Sequence, residues 1–133
     1  MDTIRQVQDR VVETNRVNGW HDRFDAVKAT DPDAAVEHII VKLALIGTEA
    51  AEAIEDVRDR GVRALTEPLT HTEPAGWLEG NPRKPDGIGV ELADVVIRAL
   101  DTAGMLSINL GAVIEQKLTY NATRGKHHGG KAA

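Results

Sequence analysis

The sequence predicts an all-α fold, a four-helix bundle with a long Pro-rich loop between its second and third helices. Three observations carry that prediction. Apolar residues recur in steps of three and four through four separate stretches. Only four of the 133 residues are aromatic, against 17 alanines and 13 valines, so the core must be aliphatic and close-packed, as helices favour. Four of the five prolines fall within residues 62–86, a stretch without helical period.

The first helix is expected over residues 3–17, with Ile4, Val7, Val11 and Val12 on its apolar side and Gly19 as its stop. A polar linker follows from Trp20 to Thr30, relieved by Phe24 and Val27. The second helix has the clearest start signal. Asp31 can cap it, Pro32 suits the first helical position, and Asp33 favours the positive helix end. Val36, Ile40, Leu43, Gly47, Ala50, Ile54 and Val57 form its apolar stripe, and Gly61 is a natural stop. A helix of roughly 28 residues is a rod on the order of 40 Å long. Within the irregular segment 62–86, short strand pieces are expected around Thr66–Thr72. The third helix runs from about Ile88 to Ala103 and closes at Gly104; the fourth starts after Asn109, a cap, and runs to about Arg124. Residues 125–133 read as a flexible tail. The chain reads as a single domain, 1–133, whose two central helices supply most of the core.

The absence of cysteine excludes a disulfide scaffold, a thiolate metal site and a cysteine nucleophile. No apolar run approaches the roughly 20 residues of a membrane span, and the first ten residues lack a basic-then-apolar signal. A cytoplasmic protein without a membrane partner is the expectation. The net charge of −5 is unevenly distributed: residues 1–115 carry −9, and residues 116–133 carry +4 with no acid. A generally acidic surface argues against nucleic acid as the main partner. The basic end is either a solubility device or the phosphate-binding half of a site whose other half is acidic.

Two carboxylate pairs stand out, Glu49-Ala-Ala-Glu52 and Glu91-Leu-Ala-Asp94. Residues three apart on a helix are surface neighbours, so each pair presents two carboxylates to one region. Either pair alone is ordinary helix surface, and Glu52 points nearly opposite the main apolar stripe of its helix. Large apolar residues nevertheless flank both pairs, with Leu45 between Glu49 and Glu52 on the wheel and Val90 and Ile97 beside Glu91 and Asp94. Those helices are therefore expected to be covered on more than one side. Four gathered carboxylates repel unless a cation sits among them, and such hard oxygen ligands suit Mg²⁺ or Mn²⁺. A di-iron bundle calls for Glu-x-x-His, and no histidine follows these acids at that spacing. On the fourth helix Lys117, Asn121 and Arg124 share a face, a stripe suited to phosphate oxygens. That stripe is also what a solvated helix C-terminus looks like.

In order and spacing these residues resemble the MazG-like family of all-α nucleotide pyrophosphohydrolases. The matching segments are KLALIGTEAAEAIEDVR (42–58), GIGVELADVVIRALDTAG (87–104) and QKLTYNATRGKHHGGK (116–131), in a match that covers roughly 80 residues. The resemblance implies Mg²⁺, or Mn²⁺, held by Glu49, Glu52, Glu91 and Asp94, and phosphates held by Lys117, Asn121 and Arg124. It implies cleavage of a nucleoside triphosphate between its α and β phosphates, in a homodimer or dimer of dimers. Many relatives carry a second Glu just before the first ExxE acid; here that position is Thr48. The role of water-orienting base then falls to Glu52 or a neighbour, with Glu49 and Glu52 as the catalytic pair. A phosphoribosyl-ATP pyrophosphohydrolase shares the acid arrangement and is a lesser possibility.

With so few aromatics, Trp20 and Trp77 are the candidates for stacking on a base, although core packing is the ordinary fate of a tryptophan. Asn15 is a candidate for reading a base edge. His21, His38 and His71 show no metal-ligand spacing; His38, beside Ile39 and Ile40, is expected to pack, and His127 and His128 belong to the tail. The alternative to an enzyme is a non-catalytic nucleotide-binding or helical interaction module.

Overall fold

Most of the predicted helix starts are met by side-chain caps. In the computed structural model, which describes residues 1–69 and 86–125, Thr3 and Gln6 form a reciprocal capping box at the head of α1 (Ile4–Val17). A short helix, α2 (Asp22–Val27), occupies the stretch expected to be a linker. Asp31 accepts the Ala34 amide and Pro32 takes the first position of α3 (Pro32–Arg60). Gly61 ends α3 with φ 56° and ψ −128°, a conformation open only to glycine. A further short helix, α4 (Val62–Thr66), begins where irregular chain was expected. After the gap come α5 (Ile88–Met105) and α6 (Leu110–Ala122), the latter capped by Asn109 as anticipated. The described residues are thus all-helical, with four helices at the predicted places and two short ones added.

Strand pieces around residues 66–72 are not found in the described part: Thr66 is helical, and Asp86 makes an isolated backbone bridge. Residues 70–72 lie outside the described residues, as does most of the expected tail.

The chain divides into two compact units. One comprises Met1–Asp25 with the chain from Leu100 onward, the other Ala26–Ala99. In the first unit, α1 and the corner between α5 and α6 are joined by Gln8, whose side chain is almost wholly buried. Its amide nitrogen donates to Leu100 O (3.1 Å) and Ile108 O (2.8 Å), and its oxygen accepts from Leu110 N (3.3 Å). One amide thereby satisfies the Ile108 carbonyl in the corner and the Leu110 N–H at the start of α6, where intrahelical partners run out, and also reaches the Leu100 carbonyl within α5. Nearby, His21 and Asp101 are 1% and 4% exposed, and His21 Nε2 lies 2.7 Å from Asp101 Oδ1. Phe24, Leu100, Ala103 and Met105 complete this core.

Gly104 does not close α5, contrary to the sequence expectation. Its missing side chain instead admits Val12: a Cβ there would lie 2.3 Å from Val12 Cγ2. The stop falls at Ser107, which takes the left-handed conformation with φ 59°. Ile108 N bonds Ala103 O (2.8 Å) and Ser107 N bonds Gly104 O (3.0 Å), the paired bonds of a Schellman ending.

In the second unit Arg60 ties α3 to the chain beyond α4. It forks onto Asp56 at 2.9 and 3.1 Å and donates to Glu67 O at 2.7 Å. The head of α5 is set against Pro68, whose carbonyl accepts from Gly89 N at 2.9 Å. Only glycine fits at position 87, with φ 103° and the Pro68 carbonyl 2.5 Å from where a Cβ would stand. The side of α3 that faces inward is not the predicted stripe. Ala35, Glu49 and Ala53 are buried and Leu45 and Ile46 half-buried, whereas Val36, Ile40, Leu43 and Ile54 are each more than half exposed. The helix is apolar on two sides, so periodicity alone did not select the inward one.

Candidate carboxylate metal centre

Because Glu49 lies on the inward side of α3, it meets the acids at the head of α5. Glu49, Glu91 and Asp94 each offer an oxygen, and these oxygens all lie within 4.8 Å of one another. The i, i+3 spacing of Glu91 and Asp94 brings two of the three from one helix face. Glu52, one turn beyond Glu49, is exposed and hydrogen-bonds Glu91 rather than joining the group of three. The four predicted carboxylates are therefore neighbours, with three in ligand-like proximity and the fourth attached through Glu91.

Electrostatics mark the cost of this gathering. Glu91 stands in the first turn of α5, where the helix dipole favours an ionised acid. Its carboxyl is nevertheless pushed up to about 7, first by loss of water, then by the hydrogen bond and charge of Glu52, and by Asp94 and Glu49. Carboxylates this close repel one another, a strain that either a proton or a bound cation would relieve. Glu49 has a cationic neighbour that the sequence reading missed. Arg98 Nε on α5 donates to Glu49 Oε1 at 2.5 Å. Its i+4 spacing from Asp94 was a usable signal, because it puts Arg98 on the acidic face.

Thr48, at the position where a further acid was considered, is exposed, and its hydroxyl donates to Ala44 O at 3.4 Å within the helix. The proposed phosphate stripe lies at the end of α6. The helix stops at Ala122, two residues short of the expected end, and Arg124 follows in turns closed by Thr123 N to Tyr120 O and Arg124 N to Asn121 O. Lys117 and Asn121 are exposed and Arg124 half-buried. Tyr120, unremarked in the sequence reading, draws two of them together. Lys117 Nζ lies 4.9 Å and Arg124 Cζ 5.6 Å from its ring centroid, within cation–π range.

Of the base-reading candidates, Trp20 is 60% exposed, which sets aside core packing as its role. Its amide donates to Asn15 O at 2.9 Å, so the two are brought together where α1 ends. Trp77 lies outside the described residues. His38 is half-buried in α3, in keeping with packing. Gln8, His21 and Asp101, the buried polar groups of the first unit, were not singled out from sequence, because no local pattern distinguishes them from surface residues.

These features define, among the described residues, a helical protein with a carboxylate cluster built from two helices. No family model, curated protein or solved structure matches the chain. Among the described residues no single helix is long and apolar enough to cross a membrane.

Proposed function

We propose that the chain is a Mg²⁺-dependent nucleoside triphosphate pyrophosphohydrolase of the MazG-like type, releasing a nucleoside monophosphate and pyrophosphate. The observation that carries the reading is the convergence of Glu49, Glu91 and Asp94 from the two acid pairs. The donor set fits the ion: all-oxygen, anionic, closely spaced, and short of a positive charge, as the raised Glu91 carboxyl indicates. Glu49, Glu91 and Asp94, with Glu52 beside them, would hold Mg²⁺ or Mn²⁺. When bound, the ion would supply charge neutralisation at the phosphates and a more acidic water. Glu52, exposed at the edge of the cluster, is the side chain left to orient that water. Lys117, Asn121 and Arg124 would bind phosphate oxygens and stabilise charge on departing pyrophosphate, with Tyr120 holding the two cations in place. Trp20 would stack on the base and Asn15 lie near its edge.

The same reading includes a homodimer or dimer of dimers, with a family-type bundle completed between copies. The apolar side of α3 that is left exposed, at Val36, Ile40, Leu43 and Ile54, supports it. A cytoplasmic role in nucleotide-pool control follows from the substrate class. Thr48 favours one competing reading, a nucleotide-binding module without turnover, because its hydroxyl is no replacement for a carboxylate base.

The test is a panel of canonical and modified nucleoside triphosphates, each with and without Mg²⁺. Glu49→Ala and Asp94→Ala should abolish metal-dependent pyrophosphate release with helical circular dichroism retained. Unchanged rates in both variants would remove the metal assignment, and tight nucleotide binding with no turnover would favour the binding module.

A further inference from the structure

Arg98 stands one turn beyond Asp94 and two beyond Glu91, on the face of α5 that carries the acidic cluster. Its guanidinium bonds Glu49, the most buried member of that cluster, while its own side chain is 38% exposed. The bond crosses between two helices, from residue 98 to residue 49, so it depends on the tertiary fold. Glu49 thus has one carboxylate and two claimants, the guanidinium seen here and the divalent cation proposed above.

We propose that Arg98 is an exchangeable counter-ion: it neutralises Glu49 while no divalent cation is bound, and turns to the phosphates of the bound nucleotide when a cation takes Glu49. The inference rests on the metal-dependent reading. Competition follows from charge. A guanidinium held against Glu49 weakens that carboxylate's attraction for a second cation, by an amount set by proximity and partial burial. Exchange follows from the side chain. A long, partly exposed arm anchored on the same helix face as Glu91 and Asp94 can leave Glu49 without moving the backbone. The destination follows from the fork of N–H groups, which matches phosphate oxygens as well as it matches a carboxylate. A fixed structural salt bridge would not have this dual character.

The two halves of the proposal predict effects of opposite sign. Calorimetric titration of the full chain would use Mg²⁺ alone, then pyrophosphate in the presence of saturating Mg²⁺. Arg98→Gln should bind Mg²⁺ on the order of tenfold more tightly and magnesium pyrophosphate on the order of tenfold more weakly, the scale of one charge-assisted hydrogen bond. Arg98→Lys, which keeps the charge without the fork, should leave Mg²⁺ affinity near that of the parent and still weaken pyrophosphate. Both affinities moving in the same direction in Arg98→Gln, or neither moving, would overturn the exchange while leaving the metal reading standing. A parent chain that binds no Mg²⁺ would overturn both.

Discussion

Replacing Glu91 by glutamine removes the charge that the cluster accommodates least well and keeps a group able to hydrogen-bond Glu52. In the folded chain the Glu91 carboxyl is raised from 4.5 to about 7. A carboxyl whose folded pKa is raised binds its proton more tightly folded than unfolded. Its contribution to stability is therefore complete below about 4.5 and is lost as pH rises through about 7. At 1.36 kcal/mol per unit, the shift sets a ceiling of about 3 kcal/mol, and partial exposure of the cluster reduces this to on the order of 1–2 kcal/mol. In urea or thermal unfolding without divalent cations, Glu91→Gln should match the parent near pH 4.5. At pH 8 it should exceed the parent by that 1–2 kcal/mol, or about 4–8 °C in Tm at roughly 4 °C per kcal/mol. Mg²⁺ should stabilise the parent at pH 8 far more than the variant, because a bound cation relieves the same repulsion. Equal stability of the two chains at pH 8 would refute the claim that the cluster is strained by charge.

Three further outcomes follow from the packing. Gly104→Ala places a Cβ 2.3 Å from Val12 Cγ2, so it should destabilise by about 1–3 kcal/mol despite alanine's better helix propensity; a Tm at or above the parent's would contradict the close approach. Ser107→Gly relieves a left-handed residue at φ 59° and should stabilise by about 0.5–1 kcal/mol, read as a higher urea midpoint at unchanged slope. Asp101→Ala leaves the buried His21 ring, whose Nδ1 makes no hydrogen bond, without its Nε2 partner and should cost about 1–3 kcal/mol, whereas a loss below about 0.5 kcal/mol would show the pair to be dispensable.

What could be read from sequence was whatever is encoded locally. The caps at Asp31 and Asn109 and the stop at Gly61 depend on residues within four positions, and the structure bears them out. Neither acid pair dictates the convergence of Glu49 with Glu91 and Asp94, since each by itself is ordinary helix surface; only the order and spacing shared with the MazG-like pattern implied it, and three of the four carboxylates come together. Tertiary choices were not legible. α3 is apolar on two sides, and the inward one carries the small residues Ala35 and Ala53 rather than the large ones of the predicted stripe. Gly104 looked like a stop and is a contact point, because glycine serves either purpose and only the partner, Val12, distinguishes them. Gln8 and the His21–Asp101 pair escaped notice for the same reason: their partners lie 80 or more residues away.

Metal-dependent cleavage between the α and β phosphates is measured most directly by the stoichiometry of its products. The purified chain, given a panel of nucleoside triphosphates with Mg²⁺, should release pyrophosphate and monophosphate in equal amounts on at least one substrate, and should stop when the ion is chelated. Release of inorganic phosphate with a diphosphate, or no Mg²⁺-dependent product across the panel, would contradict it.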